Sequence, residues 1–107
     1  MNREIINNRF KLAYHRLIAE ALQDNPYLLE QARAVVMGWQ QSEPTPKFVT
    51  EWGYLLAKPI DDVRREIAKT DSFYDWLRNS SPFAELKPGL LSPEARKSLW
   101  QSLQAGQ

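Results

Sequence analysis

The sequence predicts an all-α fold: an irregular orthogonal bundle of about five to six short helices. Three observations predict it. Apolar residues recur at spacings of three and four along most of the chain. Helix-start chemistry, a small polar residue followed by proline or by an acid, appears at five separate places. No segment alternates β-branched and polar residues with a period of two, so strands are not expected.

Residues 2–23 carry the longest helical pattern. Ile6, Phe10, Ala13, Tyr14, Leu17, Ala21 and Leu22 share one face, and Asn8, Lys11, His15 and Gln23 lie on the polar side. Asp24-Asn25-Pro26 interrupts the pattern. Asn25 reads as the cap, and Pro26 as the first residue, of a second helix reaching Gln41. Leu28, Ala32, Val35, Val36 and Trp39 form its apolar stripe, and Gly38 either weakens its last turn or admits a close neighbour. The two prolines of Ser42-Glu43-Pro44-Thr45-Pro46 exclude a continuous helix. This stretch, 42–46, is the one internal hinge expected in a single helical domain spanning 1–107.

Thr45 as cap and Pro46 at the first position start a third helix, with Phe48, Val49, Trp52, Leu55 and Leu56 on one face. Pro59 opens a short fourth helix with Asp61 and Asp62 in its first turn, where the helix dipole favours acids. Ile60, Val63 and Ile67 are its core positions. Thr70-Asp71-Ser72 caps a fifth helix carrying Phe73, Trp76 and Leu77, which stops near Asn79 before the turn Ser80-Ser81-Pro82. Lys87-Pro88-Gly89 is a further turn. Ser92-Pro93-Glu94 then starts a last helix with Ala95, Leu99, Trp100 and Leu103, stopped by Gly106.

Composition narrows the function. Hydrophobic residues make up 43% of the 107, enough to close one core. Fourteen Lys and Arg against thirteen Asp and Glu leave a charge of +1, without the basic excess of a dedicated nucleic-acid binder. Cysteine is absent, which removes disulfides, thiolate metal sites and a cysteine nucleophile. No apolar run approaches the ~20 residues of a membrane span, and the first residues do not read as a signal peptide, so a cytoplasmic location is expected.

Little here reads as catalytic equipment. His15, the sole histidine, cannot build a histidine metal cluster, and its place beside Lys11 reads as a solvated surface position. Asp61, Asp62 and Glu66 are interleaved with Arg64, Arg65 and Lys69, which reads as surface salt-bridging. Ser80, Ser81 and Ser92 read as turn and cap residues with no nucleophile elbow around them, and four glycines are too few for a phosphate-cradling loop. No catalytic residue, metal or cofactor is therefore expected, and the chain reads as a binder.

The residues for contact with a protein partner are Arg9, Arg16, Trp39, Trp52, Arg64, Arg65 and Arg78. Arg9 and Arg16 lie seven apart on one helix face, and Arg and Trp dominate interface hot spots. All four tryptophans also lie on apolar stripes, so core packing competes with this reading.

Asn8-Arg9-Phe10-Lys11-Leu12-Ala13-Tyr14-His15-Arg16, Leu77-Arg78-Asn79-Ser80-Ser81-Pro82-Phe83 and Leu90-Leu91-Ser92-Pro93-Glu94-Ala95-Arg96 resemble small bacterial proteins that are the antitoxin partner in toxin–antitoxin pairs. The resemblance implies a protein that neutralises a partner enzyme by covering its active site. Many such proteins also bind operator DNA. This chain departs from them in having no ribbon-helix-helix strand, no secure helix-turn-helix and no acidic tail. A DNA-binding regulator, with Asp24-Asn25-Pro26 as the turn and Arg33 on the following helix, is the less favoured alternative, since that helix is poor in base-reading side chains. A homo-oligomeric adaptor is the third, and a homo-dimer fits any of them.

Overall fold

The computed structural model describes residues 2–86 and 89–105. Helix α1 (Arg3–Asp24) is the longest described helix and touches α2 (Tyr27–Trp39), α4 (Ile60–Glu66), α5 (Ser72–Arg78) and α6 (Pro93–Ala105). Helix α3 (Lys47–Leu56) packs on α2, α4 and α5, and a 3-10 turn (Pro82–Glu85) closes against α2. The regular structure among the described residues is therefore all helical, with no strand, as expected. None of their helices is long and apolar enough to cross a membrane. The expected stop at Gly106, and the Lys87-Pro88 part of the expected turn, lie outside the described residues.

The core gathers one stripe from each element. Ile18 and Leu22 of α1, Ala32 and Val36 of α2, Val49, Trp52 and Leu56 of α3, Val63 and Ile67, Leu77 and Phe83 are all essentially inaccessible to solvent. Trp52 and Phe83 meet edge to face with ring centres 6.1 Å apart, and the Trp52 indole N–H donates to the Leu77 carbonyl at 3.0 Å. The largest buried ring is thus anchored at its polar end as well.

Helix starts differ from expectation in one consistent way. Pro26, Pro46 and Pro59 are N-caps, not first helical residues. Their carbonyls accept the opening helical bonds, from Leu29 at 3.0 Å, Val49 at 3.1 Å and Asp62 at 2.9 Å. A cap residue needs only a carbonyl, so proline's missing N–H costs nothing there. Asn25 accordingly closes α1, its backbone and side-chain nitrogens both donating to the Ala21 carbonyl. The Thr45 hydroxyl donates to the Ser42 carbonyl, inside the linker. Asp71 and Ser92 do cap as expected, accepting from the backbone N–H of Tyr74 and of Ala95.

Helix α2 ends at Trp39, two residues short of the expected Gln41. A side chain at Gly38 would meet nothing within 4 Å, so this glycine weakens the last turn and admits no neighbour. The tight spot lies on α3, where a Cβ on Gly53 would fall 3.0 Å from the Gln40 amide nitrogen.

Candidate binding cleft

A hollow of about 340 Å³ opens between α1, α6 and the corner where α5 meets the 3-10 turn. Phe10, Tyr14 and Trp100 wall it with rings, while Lys11, Arg78 and Arg96 bring positive charge. Across Asn79, Ser81 and Ala84 it shares a wall with a second hollow of about 410 Å³, where Trp39, Pro46, Phe48 and Val49 line an apolar side. The stretches 8–16, 77–83 and 90–96 all contribute to the first hollow.

At its floor lies His15, 2% exposed, and not the solvated residue expected. The Lys11 carbonyl can only accept, so His15 Nδ1–H donates to it, at 2.6 Å. His15 Nε2 is then an acceptor, and Ser81 Oγ–H donates to it at 2.6 Å. Ser81 Oγ in turn accepts from the Phe83 backbone N–H at 3.1 Å, capping the 3-10 turn. The imidazole stacks on Trp52 and meets the edge of Phe83. This chain of bonds fastens the 80–83 corner onto α1, and Tyr14 adds to it by donating to the Phe83 carbonyl at 3.1 Å.

Burial lowers the His15 pKa to about 4, with the Arg78 and Lys11 charges acting in the same direction and the Lys11 carbonyl opposing them. His15 is therefore neutral in the folded chain at pH 7. The unfolded chain, with the usual 6.5, takes up the proton first as pH falls. His15 thus contributes stability fully above pH 6.5, and this is lost between 6.5 and about 4, amounting to about 3 kcal/mol. Glu66 acts lower. Hydrogen bonds from Tyr74 and Lys69 hold its pKa at about 2 against a usual 4.5, so its contribution disappears between those values. Urea unfolding measured across pH 4–7 should show the His15 slope, and an H15Q variant should flatten it; equal slopes for both chains would refute the assignment.

The expected contact residues separate into three groups. Arg9 and Arg16 are exposed on α1 and Arg65 is exposed on α4, where it pairs with Asp62. Arg64 is partly buried and tied down, its Nε donating to the Ala19 carbonyl at 2.7 Å. Trp39 is half-buried at the rim of the second hollow, edge to face with Phe48. Two expectations require correction. Trp52 is fully buried, and Arg78 is 3% exposed, because each completes the interior: Trp52 fills the core centre, and Arg78 satisfies carbonyls where α4 ends. Neither offers more than a trace of surface in the described structure. Arg33, partly exposed, donates to Glu30 and to the Leu56 carbonyl.

No protein-family model matches the chain, and no curated protein or solved structure matches it either.

Phe73 and Trp76, expected with Leu77 on one apolar stripe, stand at the surface instead. Their ring centres lie 5.8 Å apart, 41% and 39% exposed, with the Lys47 ammonium 5.9 Å from the Trp76 ring. A seven-residue helix presents only one side to the core, and Leu77 and Arg78 occupy it. Residues 73 and 76, three apart, share the outer side, a spacing visible in the sequence.

Proposed function

We propose that this chain acts by binding a protein, as an antitoxin-like inhibitor of a partner enzyme, and not by catalysis. The observation that carries the reading is the Phe73–Trp76 pair, two large adjoining rings left partly in water beside a lysine. Burying such rings in a partner's pocket recovers their apolar area and the cation–π contact at little entropy cost, since each ring has few rotatable bonds. The inhibitor reading draws further support from the resemblance of the stretches around the cleft.

Quantitative co-purification from the native host tests it. The tagged chain should retain one enzyme in fixed stoichiometry and suppress its activity, while F73A/W76A should lose it, each ring being worth on the order of 2 kcal/mol of binding. Far-UV spectra should match, because both side chains stand outside the core. A wild-type chain recovered alone, or a double variant that retains the partner unchanged, would sink the proposal.

A further inference from the structure

We infer that the hollow between α1 and α6 is a site for a small aromatic carboxylate, independent of the Phe73–Trp76 surface. Its described lining holds three cationic side chains, Lys11, Arg78 and Arg96, and no carboxylate. Among the described residues neither Lys11 nor Arg96 has an ion-pair partner: Lys11 Nζ donates to the neutral Asn79 amide at 2.7 Å, and Arg96 lies over the Phe10 and Tyr14 rings at 5.2 and 5.8 Å. Arg78, buried at their base, pairs with Asp75 through Nη2, but its Nε is closed off from water without any acceptor. Lys11, half-buried, and Arg96, exposed at the mouth, leave a positive potential that an anion would neutralise. His15 adds no charge, being neutral.

The walls specify the rest of the ligand. Phe10 and Trp100 meet at a tilt with ring centres 5.7 Å apart, and Phe10 and Tyr14 lie nearly parallel at 6.5 Å. A flat ring packs beside Trp100 and the Arg96 guanidinium that covers Phe10 and Tyr14, and guanidinium groups hold carboxylates by paired N–H donors. The volume, about 340 Å³, stands at the lower end of the ~300–1,000 Å³ of ligand sites, which suits one or two fused rings and excludes a large cofactor.

The test is an NMR titration of the full chain with naphthoate, with naphthamide as its uncharged counterpart and inorganic phosphate as the anion without a ring. Naphthoate should shift the Lys11, Tyr14, Asn79 and Trp100 side-chain signals and bind about tenfold more tightly than either control. R96Q should weaken it about tenfold without moving the melting temperature, and K11Q provides a second variant with the same expectation. Naphthamide binding as well as naphthoate would reduce the hollow to an apolar patch and overturn the inference. Equal binding of phosphate, or shifts confined to another face, would also overturn it.

Discussion

Trp52→Ala is expected to bring the protein close to unfolding. Deleting a fully buried tryptophan removes its transfer free energy and leaves a cavity that neighbours fill only in part, a loss of about 3–5 kcal/mol. The substitution also removes the indole bond to the Leu77 carbonyl, which keeps its 3.3 Å bond from the Ser80 N–H, at a further cost of about 1 kcal/mol. Domains of this size hold about 5–15 kcal/mol in total, so the sum consumes most of it. Thermal unfolding should fall by roughly 15 °C or more, on a scale of about 4 °C per kcal/mol. Trp52→Phe should cost less, because a ring still meets His15 and Phe83 and only the N–H bond and part of the volume are lost. A melting temperature for W52A within a few degrees of wild type would show that this ring is not the centre of the core.

The contrast between Trp52 and Trp76 also marks where the sequence stops being legible. Helix content follows from spacing and local start signals, and these are properties of neighbours along the chain. So Asp71 and Ser92 could be placed as caps, and α1 could be bounded nearly to the residue. Which tryptophan faces inward depends on what packs across from it. His15 was partly readable: it stands three residues before Ile18 and seven before Leu22, both fully buried, and so shares their face. The polar Lys11 one turn before it obscures this, because Lys11 lines the cleft while Ile18 and Leu22 meet the core. The cleft itself could not be read, since it joins Lys11 to Asn79 across sixty-eight positions of sequence.

Arg78 is the deepest case of this kind, and its replacement carries the second large effect. Two carbonyls at the end of α4, on Ile67 and Lys69, have no donor of their own, as at any helix C-terminus. The Ile67 carbonyl is buried and the Lys69 carbonyl partly so, and the Arg78 Nη1 group supplies both bonds, at 3.0 and 2.7 Å. Arg78→Met keeps the aliphatic stem and removes the donors, leaving the buried Ile67 carbonyl unsatisfied and the Lys69 carbonyl to water, at a cost of about 2–3 kcal/mol. Asp75→Ala removes only the ion pair. The Asp75 side chain is 36% exposed and its charge is partly hydrated, so this loss should stay within about 1 kcal/mol. Urea midpoints of the two variants measure the difference directly. If Arg78 were present for its salt bridge, the two substitutions would be equally damaging; if it serves as the missing cap of α4, R78M alone should unfold early, and R78K should recover only part, since one ammonium cannot copy the spread of a guanidinium.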